Sequence, residues 1–396
     1  MKTKHVILRQ IGTPKTERSR GTVRGRGGFS AKPVSTGYVK IEYEDISAPR
    51  AAEIARNKDI AAIAPVVPMK LIAPVAIDKT PAAIETAWGV KAVGADTSPW
   101  DGDGIIVAVL DTGIDPNHPA FAGINLIRRN FTSEGDNDIL GHGTHCAGTI
   151  FGRDVNGKRI GVAPGIKTAL IGKILGDGGG GSDVVLEGIE WARQSGANVI
   201  SMSLGIDFPG YVKELTGQGI PVELATSMAL EGYRTNIHLF ESLASMIKAF
   251  GEFGQSCLLI AAAGNESRRD QNPDYEIAVS PPAVADGIIS VAALNNEPGG
   301  FSVATFSNAG ARVSAPGVMV LSAKAGGGLA TMSGTSMATP HVAGVAALWA
   351  QKIKKSSTLT YTRFMDRLIA SATNAGMKAG YDPADIGVGI IKAPQD

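Results

Sequence analysis

Three short stretches of this chain carry residue types that could together make a hydroxyl attack a carbonyl. Asp111 lies in VAVLDTGID, His142 in GHGTHCAGT and Ser336 in GTSMATPH. A serine hydroxyl is a weak nucleophile at neutral pH. It needs a base to take its proton and a buried carboxylate to fix that base in one tautomer. Taken singly, each residue has a plainer reading. An aspartate after a strand is often a turn residue. His142 and His145 are three apart, as a metal pair can be, but no third ligand stands nearby at a recognisable spacing. His145, His118 and His341 read as supports of their own loops. GTSMA is not a G-x-S-x-G elbow, because Ala338 replaces the last glycine, and the order Asp, His, Ser differs from Ser, Asp, His.

The surrounding patterns say what must hold these residues. Ile105 to Leu110 is a continuous apolar run, which predicts a strand buried on both faces with Asp111 at its carboxyl end. Sites form at such ends in open α/β sheets. The small residues around His142 permit close backbone approach, and a helix is expected to begin there. GTSMATPH runs into VAGVAALWA, a helix former, with Pro340 fitting the first turn. Ser336 then stands near a helix N-terminus, where free N–H groups favour negative charge. Strands are expected at Ala169–Leu175, Asn198–Ser203 and Cys257–Ala263, and helices at Ser182–Gln194, Pro340–Lys352 and Tyr361–Ala372. This alternation predicts an α/β fold, a parallel sheet flanked by helices in three layers.

The chain resembles the subtilisin-like serine proteases. The resemblance rests on DTGID with His118-Pro119, HGTHCAGT, GVAP (Gly161 to Pro164), MSLG (Met202 to Gly205), AAAGNES (Ala261 to Ser267) and GTSMATPH, in that order, and covers Trp88 to the C-terminus. It implies a serine endopeptidase that hydrolyses polypeptides through an acyl-enzyme. Asp111 would orient the base, His142 would act as base and then acid, and Ser336 would be the nucleophile. Asn265 and the Ser336 N–H would hold the oxyanion. Ser203-Leu204-Gly205 and Ala262-Ala263-Gly264 would wall the pocket. The edge Lys173 to Ser182, with Gly178, Gly179 and Gly180, would pair with an extended substrate. The same chemistry with an amine acceptor would give a transpeptidase.

Composition sets the rest. The 396 residues suffice for one large domain and a small one, and a net charge of +1 gives no global field for nucleic acid or membrane. Two cysteines, Cys146 and Cys257, make no disulfide framework. The N-terminal apolar run Val6-Ile7-Leu8 is too short for a secretory core or a membrane span. A cytoplasmic protein is expected, or a secreted one if a leader is missing from the sequence. Residues 1–36 read as a basic arm containing the Gly/Arg stretch Arg20 to Phe29, solvated rather than bound to nucleic acid. Residues 37–79 read as strand (Gly37–Glu44), helix (from Ala48 to Arg56, capped by Ser47) and strand (Ile60–Val67). They resemble the second half of a subtilase propeptide, the small α+β domain that acts as intramolecular chaperone and inhibitor. Any cut is expected between Leu71 and Thr80, and the catalytic domain over 80–396. An insertion at about 206–236 is expected to form a lid or exosite, or a surface packing element, with helices at Val222–Tyr233 and Ile237–Phe250. No cofactor is expected to be required. Calcium is possible but not predicted, because Ala120 stands where several relatives carry an aspartate, and Asp154, Asn156 and Asp177 lack a recognisable spacing.

Overall fold

The computed structural model describes residues 2–11, 38–75 and 85–396. Arg20–Phe29, and residues 76–80 of the stretch expected to hold a cut, lie outside them. Contacts divide the chain into two compact units, Met1–Val66 and Val67–Asp396.

In the first unit, β1 (Thr3–Ile11) pairs antiparallel with β2 (Tyr38–Ile46) on one side and with β3 (Ile60–Pro65) on the other. The arm expected from residue 1 therefore begins with the central strand of a sheet. Three apolar residues are too few for a membrane but enough for a strand, and Val6, Ile7 and Leu8 are all buried. A charge read as part of a solvated arm is paired across strands, with Arg9 Nε donating to Glu42 at 3.1 Å. Helix α1 (Ala48–Ile54) follows β2, and Ile54 joins Ile7 and Ile46 in a small core. Ser47 stands at the N-cap, but its side chain makes no capping bond.

The second unit begins at Val67, because β4 (Pro68–Leu71) joins a sheet of this unit. The strands that follow are β5 (Ile106–Asp111), β6 (Asn125–Asn130), β7 (Thr168–Lys173), β8 (Gly180–Gly181), β9 (Val199–Met202), β10 (Leu204–Ile206) and β11 (Leu258–Ala262). They are completed by β12 (Ile288–Glu297), β13 (Gly300–Val303), β14 (Val313–Pro316), β15 (Val320–Ala323) and β16 (Leu329–Met332). The helices are α2 (Trp88–Ala92), α3 (His142–Phe151), α4 (Ser182–Gln194), α5 (Phe208–Gly217), α6 (Val222–Gly251), α7 (Thr335–Ser356), α8 (Tyr361–Ala370) and α9 (Pro383–Ile386).

The main sheet has eight strands in the order β13-β12-β11-β9-β5-β7-β6, with β14 also on β12, and every pairing is parallel except β12 with β13. The order β11-β9-β5-β7 sets the carboxyl ends of these strands side by side. Residues 107–111 of β5 are all buried, as a strand covered on both faces requires.

Helices α3 and α7 are the functional supports. Every residue of α3 is buried, as is every residue from Ser333 to Leu348. Both are rich in Gly, Ala, Ser and Thr, so backbones approach closely, and a helix covered all round belongs in the interior. α7 starts at Thr335, ahead of the expected Pro340–Lys352, because Gly334 already provides its N-cap. Pro340 therefore lies inside the helix and cannot donate to the Ser336 carbonyl. That carbonyl accepts instead from Ser203 Oγ at 3.3 Å and from Cys146 Sγ at 3.4 Å.

The insertion also differs from its expectation. Ile206 belongs to β10, and the two expected helices are one, α6, of 30 residues. The polar residues that suggested a break bond back onto the helix, Asn236 Nδ2 to Gly232 O at 2.9 Å and Thr235 Oγ1 to Glu231 O at 2.8 Å. Among the described residues no helix is long and apolar enough to cross a membrane.

Candidate active site

Asp111 is the last residue of β5 and His142 the first of α3. His142 Nδ1 lies 2.8 Å from Asp111 Oδ1, with both side chains 2% exposed. Several bonds fix this pair. Asp111 Oδ1 also accepts from Thr112 N at 2.7 Å, and Thr112 Oγ1 accepts from Gly143 N at 2.9 Å. A Cβ on Gly143 would lie 2.2 Å from Gly113 O, so only glycine lets α3 start this close to the strand end. Asp138, which the sequence reading missed, organises the approach to α3. Its carboxylate accepts from Thr112 Oγ1, Gly141 N and Thr144 N, each at 2.8 Å. A buried aspartate four residues before the helical histidine was the available signal, lost among the loop acids around it.

Burial opposes charge on His142, but the Asp111 carboxylate, with Cys146 beside it, holds the imidazole well above its ordinary value. His145, three residues on, has no such partner. Burial pushes it down to about 3, and its Nε2 meets the carbonyls of Val320 and Ala330. His341 is held down to about 4 by burial and bonds Met337 O through Nδ1. His118 meets Gly328 O at 2.7 Å and accepts from Ala120 N. These three histidines serve their surroundings. The potential ligand atoms of Asp111, His142 and Cys146 lie within 4.8 Å of one another, but Nδ1 is already spent on Asp111. Burial pushes the Cys146 thiol up, away from the thiolate a metal needs.

Ser336 is the second residue of α7, so its N–H stands in the first turn and has no acceptor in its own helix. Asn265 follows β11 and is locked by the same turn. Its Oδ1 accepts from Thr335 N and from Thr335 Oγ1, both at 2.9 Å, which leaves Nδ2 as the outward donor. Gly264 N donates to Thr335 Oγ1 at 3.1 Å and continues the network.

The donors face a stretch of the chain itself. Val67 exchanges bonds with Ser182, and β4 lies antiparallel between β8 and β10. Met69 is opposite Gly180 and Ile206, Lys70 opposite Gly205, and Leu71 opposite Leu204. Ile72 N donates to Ser203 O at 3.3 Å, and Val75 N donates to Ser333 O at 2.7 Å. Between these anchors Ser336 Oγ donates to Ile72 O at 2.8 Å, and Asn265 Nδ2 donates to Ala73 O at 2.9 Å. His142 Nε2 is buried without a hydrogen-bond partner among the described residues.

Of the expected substrate-facing residues, Gly180, Leu204 and Gly205 pair with this strand, and Ser203 O accepts from Ile72 N. Gly179 abuts it, a Cβ there lying 2.4 Å from Met69 O, whereas a Cβ on Gly178 would meet nothing within 4 Å and Gly178 takes no part in the pairing. Gly181, within the expected edge Lys173 to Ser182, pairs with it too, and so does Ile206, the next residue along the other edge, which was missed. Ala262 ends β11, Ala263 N bonds Val291 O, and Gly264 reaches Thr335, all on the floor beneath Asn265.

A carboxylate at a strand end paired with an imidazole at a helix start, a serine in the first turn of a second helix and an amide donor aimed at a strand carbonyl are parts that acyl transfer uses. The Subtilase family profile matches residues 102–389. The chain is 34% identical over 300 residues to an intracellular serine protease of Paenibacillus polymyxa, covering 73% of this chain and 79% of that one. It is 32% identical over 294 residues to subtilisin DY of Bacillus licheniformis, covering 72% and 90%. It is 33% identical over 274 residues to subtilisin-like protease 6 of Trichophyton verrucosum, covering 66% and 57%. The chain belongs to the subtilase family and is a subtilisin-like serine endopeptidase acting on polypeptides.

Proposed function

We propose that Asp111, His142 and Ser336 hydrolyse peptide bonds through an acyl-enzyme, and that residues 67–75 hold the cleft as an intramolecular inhibitor. The observation that carries both is the Val67–Val75 strand, zipped between β8 and β10 with one carbonyl at Ser336 and the next at Asn265.

A substrate strand takes the same two edges, so its main chain supplies affinity whatever its sequence. Ser336 Oγ turns from the Ile72 carbonyl to His142 Nε2, gives up its proton and attacks the substrate carbonyl carbon. Asp111 holds Nδ1–H and stabilises the imidazolium that forms. The oxyanion is met by Asn265 Nδ2 and the Ser336 N–H. His142 then protonates the leaving amine, the amide bond breaks, and water releases the acyl group by the same steps reversed.

The resident strand fits as an occupant held short of reaction. Ser336 Oγ is spent on Ile72 O, while the carbonyl at Asn265 is that of Ala73, whose following residue is Pro74. Proline fixes its own backbone and lacks an N–H, so the bond presented there is a tertiary amide whose leaving group is the ring nitrogen of Pro74. The relative named an intracellular serine protease supports a cytoplasmic place of work, which cell fractionation would check. Purified wild type and Ser336→Ala chains, each incubated with an unfolded protein, test the hydrolysis. Fragments are expected from the wild type alone, and fragments from both would rule out Ser336 as the nucleophile.

A further inference from the structure

We infer that Asp207, the residue that opens the insertion, selects substrates with a basic side chain at the place Lys70 fills. The inference rests on the peptidase reading above and names the substrate class of that cleft. Along the resident strand, Met69 is 1% and Ile72 2% exposed, so these positions ask for apolar side chains. Lys70, between them, is 41% exposed at its side chain, and its Nζ lies 3.1 Å from Asp207 Oδ1.

The acid is held in place by contacts that do not involve the lysine. Asp207 follows β10 directly and donates its backbone N–H to Pro68 O at 3.3 Å, extending the strand pairing by one residue. Its Oδ1 also accepts from Gly210 N at 3.1 Å and caps α5. Held by its own helix, at the side chain through Gly210 N and at the backbone carbonyl through Tyr211 N at 2.8 Å, the carboxylate awaits the incoming strand in one position, so little entropy is lost on pairing. It also reverses the local field. The N-terminus of α5, a helix of 10 residues, would by itself repel a cation. Charge at this position of the substrate is therefore decided by Asp207 and by the start of its helix. A half-exposed ion pair is worth little, so the selection is modest and falls with salt.

The test uses the full chain and three nonapeptides copying residues 67–75, with alanine in place of proline. They carry Lys, norleucine or Glu where Lys70 stands and are cleaved in pairs in one reaction. The ratio of kcat/KM values read this way does not depend on how much of the cleft the resident strand occupies. Wild type is expected to favour Lys over norleucine by about two- to fivefold, the scale of an exposed pair, and the preference should shrink at high salt. Asp207→Asn keeps a capping side chain and should bring the ratio to about one or below, since only the helix end remains. Asp207→Lys should favour Glu. A Lys preference that Asp207→Asn leaves unchanged would overturn the inference with the peptidase intact. Failure to cut any of the three peptides, by a folded chain whose Ser336 a fluorophosphonate also leaves unlabelled after the resident strand is released by Met69→Asp, would overturn the function beneath it.

Discussion

The floor of the cleft and its rim are built differently. On the floor, Asp111, His142, Ser336 and Asn265 are each less than 10% exposed and are locked by short bonds through Thr112, Asp138 and Thr335. At the rim, Lys70 of β4 meets Asp207, the N-cap of a helix in the insertion, at 3.1 Å with side chains 41% and 31% exposed. In a dry site one misplaced dipole costs orders of magnitude. At a wet edge, water replaces most of what a substitution removes. The floor should therefore govern rate and the rim selectivity.

Changes that separate the two run from very large to small. Ser336→Ala should lower kcat by about 10⁵- to 10⁶-fold while the melting curve stays in place, because alanine fits the buried turn of α7. Hydrolysis of an unfolded protein and thermal melting check both halves. Asp111→Asn should cost about 10⁴-fold and also move the pH profile. The base works only when neutral, and the Asp111 carboxylate raises His142 well above its ordinary value. The acid limb of wild-type kcat/KM is therefore expected above pH ~6.5, the unperturbed histidine value. Without the carboxylate, burial prevails and the limb should move down, and a limb that stays put would break the assignment of Asp111. Asn265→Ala should lower kcat by about 10²- to 10³-fold with KM little changed, since its amide serves the oxyanion. Asp207→Asn, the smallest effect, should alter relative rates among peptides by about two- to fivefold.

Histidines that do no chemistry give a separate handle on the floor. His145 and His341 are neutral in the fold, at about 3 and about 4, whereas in the unfolded chain they bind protons below about pH 6.5. Stability they favour above pH 6.5 is thus lost as pH falls toward 4 and then 3. A melting temperature that did not drop over that window would contradict their burial as neutral groups.

The same contrast explains what could be read from sequence. The floor was legible because its chemistry sits in contiguous words. β5 ends on Asp111, α3 opens on His142, and Gly143 is fixed where a Cβ would strike Gly113 O. Such constraints act between near neighbours and leave a local trace. The rim was not legible, because Asp207 and Lys70 are 137 residues apart and neither stands in a distinctive word. β1 was missed for a related reason. Its partners are β2 and β3, far along the chain, and without them a short apolar run among lysines and arginines reads as an arm. The break expected within α6 failed because Thr235 and Asn236 satisfy themselves on their own helix, which no count of helix formers reveals.

The central claim is that Ser336 is an activated nucleophile covered by the chain's own strand. A fluorophosphonate probe followed by intact-protein mass spectrometry tests it on wild type, Ser336→Ala and Met69→Asp. The last places a charge at a site 1% exposed and should release the strand, since an unpaired buried carboxylate costs several kcal/mol. Labelling is expected at Ser336 in wild type, none in Ser336→Ala, and at least about tenfold faster labelling in Met69→Asp, the change that ~1.4 kcal/mol of lost cover gives. A folded wild type and Met69→Asp that both leave Ser336 unlabelled would contradict the activated serine, and equal rates for the two would contradict the cover.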